Sequence, residues 1–206
     1  MQPRVSGRRA GLRFDAQHGV RTEALIFLGS LDPEAIGPSI EHATHYEPSP
    51  VGDVAALIGL VPIPLERATF LDLGSGMGRA VLLAARHPFR TVIGVEISPA
   101  LHEMALRNVA DFVGKRQCRD VRLVRADAAG YAFPRGDLVV YLYNPFRGAV
   151  LERIAARLAR RNGPHETIVV YHTPAERRVF DDDGAFELVA EAPCGALYRR
   201  VTTPSA

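Results

Sequence analysis

The sequence predicts a single α/β domain built on a mostly parallel sheet. Three observations support this prediction. Strand-like runs alternate with helical patterns from Thr69 onward, a glycine-rich loop follows the first run, and the last two runs form a hairpin pair. The 206 residues suit one domain with a short appendage, and a hydrophobic content of 47% is enough to form its core.

Each predicted strand is a short run rich in β-branched or aromatic residues. The predicted helices begin near Gly78, Pro99 and Ala149, and Ser98 and Gly114 supply a start and a stop for the second of them. The third helix is expected to end near Arg161, with its arginines facing outward. The predicted strands cover residues 70–73, 91–95, 121–124, 138–143, 167–171, 186–190 and 196–201.

The chain before the first strand is predicted to divide from the rest, with residues 1–66 forming a basic N-terminal arm and a helical cap, and residues 67–206 the main domain. Residues 22–28 and 51–60 are the best helix candidates in this part. It is too short for a core of its own, so we expect it to cover the carboxyl edge of the sheet, where ligands of open α/β sheets bind. The arginines among the first thirteen residues favour a solvated tail over a transit peptide.

Composition excludes several classes of protein. Cys118 and Cys194 form no CxxC pattern, so neither a disulfide framework nor a zinc site is predicted, and a cytoplasmic location fits best. His42 and His45 lack a third ligand type nearby, so no metal site is predicted. The formal net charge of +2 is too small to indicate nucleic-acid binding by itself. No apolar run in the sequence has the length needed to span a membrane.

The glycine loop at residues 72–78 (Asp-Leu-Gly-Ser-Gly-Met-Gly) is the main candidate for ligand binding. Gly74, Gly76 and Gly78 permit a sharp strand-to-helix turn and a close approach of a ligand to the backbone, with Ser75 between them. The GxGxG spacing differs from the GxGxxG of dinucleotide enzymes. Asp72 would repel a pyrophosphate but suits S-adenosylmethionine (SAM), which carries an ammonium and a sulfonium. We therefore expect SAM rather than NAD.

Two further acids follow the next two strands. Glu96, followed by Ile97, ends a strand about twenty residues past the loop, where an acid can accept hydrogen bonds from vicinal ribose hydroxyls. Asp127, followed by Ala128, lies where the adenine amino group would bind. The competing interpretations are a solvated strand-end carboxylate at Glu96 and an ordinary turn residue at Asp127.

The segment Tyr143-Asn144-Pro145-Phe146 ends the fourth predicted strand and faces the expected position of the transferable methyl group. The Asn144 carbonyl oxygen can hold an amine nucleophile, and the rings of Tyr143 and Phe146 can shelter a sulfonium or an ammonium. We predict Asn144 and Tyr143 as catalytic residues, with Asn144 also a cofactor contact. The competing interpretation is a Pro-stabilised turn beside core aromatic residues.

Residues 70–85, 94–108 and 143–146 resemble the motifs of class I SAM-dependent methyltransferases, which implies a seven-stranded Rossmann-like sheet. Together with the upstream segment Tyr46-Glu47-Pro48-Ser49-Pro50, they resemble small bacterial methyltransferases and, more distantly, the non-SET protein-lysine methyltransferases. In that group a Tyr-x-Pro-Ser/Thr segment closes over SAM, which implies Tyr46 and Ser49 as cofactor contacts. The segment Asn-Pro-Phe departs from the Asn/Asp-Pro-Pro-Tyr of enzymes that methylate bases or glutamine.

The sequence therefore predicts a SAM-dependent methyltransferase whose acceptor it does not identify, with a protein lysine and a small-molecule amine as candidates. A SAM-binding domain without catalysis and a nucleic-acid methyltransferase are the alternatives. For the latter, arginines of the arm and of the helix at residues 149–161 would contact phosphates. A nicotinamide-dependent oxidoreductase is disfavoured by Asp72. His172 is interpreted as an ordinary strand-end histidine rather than a base.

Overall fold

A computed structural model describes residues 3–26, 46–143 and 146–201. Its helices are α1 (Pro3–His18), α2 (Val51–Gly59), α3 (Arg79–Ala84), α4 (Pro99–Asp111), α5 (Ala149–Ala159) and α6 (Arg178–Asp181). Its strands are β1 (Thr69–Leu73), β2 (Thr91–Glu96), β3 (Val121–Arg125), β4 (Leu138–Leu142), β5 (Thr167–His172), β6 (Phe186–Ala192) and β7 (Gly195–Arg200). Within these described ranges, no helix combines the length and apolarity needed to cross a bilayer.

The seven described strands form one sheet in the order β3-β2-β1-β4-β5-β7-β6. β1 pairs in parallel with both β2 and β4, and the parallel pairing continues to β3 on one side and β5 on the other. β7 runs antiparallel to its neighbours β5 and β6. The predicted Rossmann-like fold with a C-terminal antiparallel hairpin is confirmed, and the change of strand order at β1 and β4 marks the edge where such sheets bind ligands.

Each face of the sheet is covered by its own core. On one face, Phe70 and Tyr141 of the sheet pack in a cluster with Val54 and Leu57 of α2. On the opposite face, strand residues including Leu71 join a cluster with residues of α5 and α6. β1, β4 and β5 are buried along their whole length, as expected for central parallel strands.

Helix α4 begins where the sequence predicts and ends earlier than predicted. The backbone N–H of Leu101 donates to the Ser98 hydroxyl at 3.4 Å, so Ser98 is the expected cap. The helix ends at Asp111, ahead of the predicted stop at Gly114. Phe112 leaves the helix there and its ring packs near those of Phe14 and His18 of α1, which explains the early end.

The N-terminal segment corrects two predictions. Residues 3–18 form α1 rather than a solvated tail, and Phe14 is buried in the core. Residues 22–26 are not helical, and the Ile26 and Tyr46 backbones exchange hydrogen bonds of 3.1 and 2.8 Å. The Asp15 carboxylate accepts the N–H groups of Thr22 and Glu23, and these side chain–backbone bonds compete with a helix. The rest of the predicted helix, residues 27–28, lies outside the described residues.

Candidate functional site

A cleft of about 820 Å³, open to solvent, lies at the carboxyl ends of the parallel strands. Gly78 is not among the residues that line the cleft, and Asn144 lies outside the described residues. The cleft is lined by the other predicted site residues, namely Tyr46, Ser49, Asp72, Gly74, Ser75, Gly76, Glu96, Ile97, Asp127, Ala128 and Tyr143.

The glycine loop forms one wall of the cleft together with the ends of β1 and β2, and we call this the glycine-loop wall. The loop turns through left-handed backbone conformations, with φ of 82° at Gly74 and 53° at Gly76. The N–H groups of Gly74 and Ser75 both donate to the Val95 carbonyl, at 2.9 and 3.0 Å. These two donors therefore hold the loop against β2.

Gly78, although outside the cleft, sets the path of the chain into α3. Its φ is 86°, and its N–H donates to the Ser75 carbonyl at 2.8 Å. A Cβ at this position would lie 3.4 Å from the Cβ of Ala105 on α4. The third glycine of the motif thus serves the turn and the close packing of the loop on α4.

Glu96 fastens the loop from the end of β2. Its Oε2 accepts the N–H of Gly76 and its Oε1 accepts the N–H of Ser98, both at 2.8 Å. Burial raises the pKa of the Glu96 carboxyl, while these backbone N–H groups act to lower it. A carboxylate has about four acceptor positions. Glu96 therefore keeps capacity for hydroxyl groups of a ligand while it holds the loop.

Asp72 is buried beside Glu96 at the end of β1. Burial raises the pKa of the Asp72 carboxyl to about 8, and the neighbouring Glu96 adds to this increase. The carboxyl is thus largely protonated at neutral pH without a ligand. A cation bound in the cleft would favour its charged form, so the site is electrostatically suited to a positively charged ligand.

Tyr46 covers the loop from the N-terminal segment. A Cβ on Gly76 would lie 2.3 Å from two carbons of the Tyr46 ring, so only glycine fits beneath it. The Tyr46 hydroxyl donates to the Thr22 carbonyl at 2.7 Å. The ring therefore lies directly on the loop.

Arg79, the first residue of α3, connects the loop to the N-terminal segment. Its side chain is 2% exposed and donates to Thr22 Oγ1 at 2.5 Å. It also forms ion pairs with Glu23 at 2.8 Å and Asp15 at 3.4 Å. Both carboxylates are nearly buried. This cluster could not be identified from the sequence, because Arg79 lies more than fifty residues from its three partners and no motif links them.

Asn108 of α4 ties the same segment to the loop. Its Oδ1 accepts the N–H of Arg21 at 2.8 Å, and its Nδ2 donates to the carbonyls of Arg21 and Met77 at 3.1 and 2.9 Å. We call the group formed by Asp15, Thr22, Glu23, Arg79 and Asn108 the N-terminal clasp. It fixes residues 15–23 against the glycine loop.

On the opposite side of the cleft, Ser49 and Tyr143 belong to the lining, and Tyr141 and His172 are buried behind them; we call these four residues the aromatic wall. The Tyr143 ring stacks on the His172 imidazole, with centroids 4.4 Å apart and planes at 22°. The Tyr141 hydroxyl oxygen lies 3.0 Å from Ser49 Oγ and 2.6 Å from His172 Nδ1. His172 Nε2 lies 3.2 Å from Asp53 Oδ2 of α2. His172 is therefore part of a buried hydrogen-bonded chain, which sequence reasoning missed because its partners lie far away in the chain.

The segment after β3 is held by Arg157 of α5 and by Arg161, which follows this helix. Asp127 Oδ1 accepts the N–H of Ala129 at 2.8 Å, closing a tight turn. Arg157 donates to the carbonyls of Ala129 and Tyr131 at 2.8 and 2.7 Å. Arg161 binds two carbonyls of the same segment in the same way. The expectation that the arginines of this helix face outward is therefore wrong for these two side chains.

Residues 70–165 match the model of a family described as a methyltransferase domain. Three solved structures share the fold. An RNA methyltransferase from Salinibacter ruber, crystallised with S-adenosylhomocysteine, is 21% identical, with a TM-score of 0.51 over 77% of this chain and 95% of that chain. A protein from Pyrococcus horikoshii named as a candidate RNA methyltransferase is 13% identical, with a TM-score of 0.58 over 86% and 94% of the two chains. A candidate methyltransferase from Escherichia coli is 21% identical, with a TM-score of 0.55 over 74% and 85%. A search of curated proteins finds no significant match.

The sheet order and the family match define the class of protein as a Rossmann-like, class I methyltransferase. The resemblance noted in the sequence is thereby confirmed at the level of the class. The match covers residues 70–165, just under half of the chain, and it identifies this part as a methyltransferase domain.

Proposed function

We propose that this methyltransferase transfers the methyl group of SAM to an amine, either a protein lysine or a small-molecule amine. The observation that carries the proposal is the excess of acidic over basic residues in the described lining of the cleft. Its described lining includes four acids, namely Glu47, Asp72, Glu96 and Asp127. Arg79 is the basic residue of that lining, and it is paired with two carboxylates of the N-terminal clasp. Such a cleft attracts cations and disfavours phosphates.

The residues of the glycine-loop wall fit SAM. Glu96 would bind the ribose hydroxyls with its remaining acceptor capacity, and Asp72 would stabilise the ammonium and sulfonium charges. Asp127 and Ala128 would contact the adenine, with Ile97 beside them. The Ser75 hydroxyl is buried in the cleft lining and has no hydrogen-bond partner among the described residues, so it can bind the ligand. When bound, SAM supplies a methyl group activated by its attachment to a sulfonium.

The aromatic wall would receive the acceptor. Tyr143 and Phe146 line the cleft. Aromatic rings such as theirs attract an ammonium by cation–π interaction. In our proposal Asn144, which lies outside the described residues, orients the amine with its carbonyl oxygen. Tyr46 and Ser49 of the preceding segment complete the enclosure, and exclusion of water by these side chains favours displacement.

We also propose that residues 67–206 form the methyltransferase domain and that residues 1–66 serve as its arm and cap. Two contacts of the first part with the second support its role as a cap, namely Tyr46 with Gly76 and Glu23 with Arg79. Cys118 and Cys194 are free thiols, which suits the proposed cytoplasmic location.

The test is methyl transfer from labelled SAM to three acceptors in parallel: a lysine-rich peptide, n-butylamine and total RNA. We expect label on the peptide or on n-butylamine and none on RNA. Label on RNA, with binding that weakens steeply as salt rises, would establish the nucleic-acid alternative. Calorimetric binding of SAM without transfer to any acceptor would indicate a non-catalytic SAM-binding domain.

A variant tests the role of Asn144. Asn144→Ala is expected to retain SAM affinity within about twofold and to lose turnover by at least about tenfold, since acceptor alignment is the larger of its two proposed roles. Loss of SAM affinity in this variant would contradict the assignment. Glu96→Ala is the matched control, because it should lose SAM affinity first.

A further inference from the structure

A chain of hydrogen-bonded side chains within the aromatic wall leads from the cleft to the protein surface. Ser49 lines the cleft, and Tyr141 and His172 behind it are buried, with His172 0% exposed. Asp53, at the far end, has a side chain that is 40% exposed. The oxygen and nitrogen atoms along this path are 3.0, 2.6 and 3.2 Å apart. The path is continuous at hydrogen-bond distances.

The direction of every hydrogen bond in this chain follows from its last member. A carboxylate only accepts hydrogen bonds, so Asp53 requires a proton on His172 Nε2. In a neutral imidazole, Nδ1 is then the acceptor and receives the Tyr141 hydroxyl proton. The single Tyr141 hydroxyl proton is then committed to His172, so the Tyr141 oxygen accepts from the Ser49 hydroxyl, 3.0 Å away, rather than donating to it. Ser49 Oγ therefore presents lone pairs, rather than its proton, toward the cleft.

The surroundings favour a neutral His172. Burial lowers the pKa of His172, while Asp53 opposes this change. Asp53 lies in the first turn of α2, where the helix dipole favours negative charge. The other titratable groups near this chain are Tyr143, which follows β4, Asp72 of β1, and Cys194, which lies near Asp53 in the turn between β6 and β7.

We infer that Ser49, Tyr141, His172 and Asp53 form a proton relay that removes the proton of a protonated amine acceptor before methyl transfer. The ammonium N–H proton passes to Ser49 Oγ as the Ser49 proton moves to Tyr141 Oη. The Tyr141 proton moves to His172 Nδ1, and the Nε2 proton moves to Asp53 Oδ2. The amine is left neutral with a free lone pair, and Asp53 exchanges its proton with water. This inference rests on the proposed amine acceptor.

The relay depends on hydrogen-bond polarity, which NMR measures without turnover. In the full-length protein labelled with ¹⁵N at the histidine rings, long-range ¹H–¹⁵N correlations identify which ring nitrogen carries the proton. His172→Gln assigns the signal among the seven histidines. We expect His172 to be neutral at pH 7 and protonated on Nε2. A proton on Nδ1, or an equal mixture of the two forms, would overturn the relay.

Variants of the two residues that contact His172 sharpen this test. A side-chain amide can donate as well as accept, so Asp53→Asn should lower the ratio of the Nε2–H to the Nδ1–H form by about tenfold or more. Tyr141→Phe should shift the Nδ1 resonance and keep the proton on Nε2. Tyr198→Phe removes a hydroxyl that binds Asp181 elsewhere, and it should leave His172 unchanged. An unchanged His172 in Asp53→Asn would refute the assigned polarity.

Turnover supplies the second readout, with n-butylamine as the probe acceptor. Asp53→Asn and Tyr141→Phe should each lower kcat by about 10²-fold, the lower range for general base catalysis, and leave SAM affinity unchanged. The loss should shrink as pH rises and free amine accumulates. A loss that is constant with pH would overturn the relay. If the wild-type protein transfers no methyl group to amines, the proposed function fails, while the NMR result still decides the polarity.

Discussion

The two walls of the cleft are built in different ways. In the glycine-loop wall, Glu96 binds backbone groups only 2 and 20 residues away in the chain. In the aromatic wall, the partners of Tyr141 and His172 on the N-terminal segment are 92 and 119 residues away. The first wall is a local motif held by backbone hydrogen bonds. The second is assembled from side chains that meet only after the sheet and α2 have packed together.

This difference indicates how each wall should respond to substitution. A local motif keeps its geometry as long as its own strand and loop form, so its substitutions should act mainly on the ligand. A long-range assembly depends on the packing of distant elements. The N-terminal clasp, although it adjoins the glycine loop, belongs to the second kind, because Asp15 and Arg79 are 64 residues apart.

The largest expected effect is on the N-terminal clasp. Arg79→Met would leave the nearly buried carboxylates of Asp15 and Glu23 without their cation, which typically costs about 3–5 kcal/mol. Urea unfolding should show this decrease in the free energy of unfolding. Arg107→Met, which breaks an exposed pair with Glu103, is the control and should cost no more than about 0.5 kcal/mol. Equal losses in the two variants would contradict the clasp.

Asp72→Asn should stabilise the protein in the absence of a ligand. The pKa of Asp72 is raised from 3.8 to about 8 in the folded protein, so its contribution to stability is present below pH 3.8 and is lost as pH rises to about 8. The variant avoids this loss. It should exceed the wild type by an amount on the order of a few kcal/mol at pH 8, and by little near pH 4. Thermal unfolding at both pH values measures the difference, and a pH-independent difference would be inconsistent with this explanation.

The same carboxyl should couple SAM binding to proton release. A cationic ligand favours ionised Asp72, so binding below pH 8 should release up to one proton and strengthen by up to about tenfold per pH unit. Calorimetry in two buffers of different ionisation enthalpy counts the protons. Asp72→Asn should bind SAM more weakly and without this pH dependence; a retained proton release would assign the effect to another group.

In the aromatic wall, Tyr141→Phe should reduce stability by about 1–3 kcal/mol, because the buried Ser49 hydroxyl and His172 Nδ1 each lose a partner. The double variant with Ser49→Ala should lose less than the sum of the two single losses, since one interaction is shared. Strictly additive losses, measured by urea unfolding, would show that the hydroxyl groups are not coupled.

The smallest expected effect separates capping from ligand binding. Ser98→Ala removes the cap of α4 at a cost of about 1 kcal/mol, but it keeps the backbone N–H that donates to Glu96. SAM affinity should therefore remain within about twofold of the wild type by calorimetry. A larger loss of affinity would mean that the cap helps to position Glu96.

The fold could be predicted from the sequence because each strand and helix has a local pattern. The β-branched runs and the paired final strands were sufficient to predict the sheet, and all seven predicted strands are present. Ser98 was sufficient to predict the start of α4. The glycine loop could be identified for the same reason, and so could the acids at the ends of the first three strands, namely Asp72, Glu96 and Asp127. Strand order in a parallel sheet then brings the strand ends together at one edge.

The packing of the N-terminal segment and the role of His172 in the aromatic wall could not be predicted in this way. The arginines of α1 favour a solvated tail in the sequence, while burial of Phe14 and the contacts of Asp15 depend on tertiary packing. His172 has no sequence neighbour that suggests a role. Its position at the carboxyl end of β5 was the available signal, and its partners become apparent only when α2 is placed over the sheet.

The contact between Tyr46 and Gly76 has a consequence for divergence among related chains. Gly76 is constrained twice, by its backbone conformation and by an aromatic ring that would meet a Cβ at 2.3 Å. Asparagine tolerates the left-handed conformation but cannot fit under the ring. Positions 46 and 76 should therefore covary: homologues that keep the aromatic residue should retain glycine, and those with a small residue at position 46 should be free to drift to asparagine.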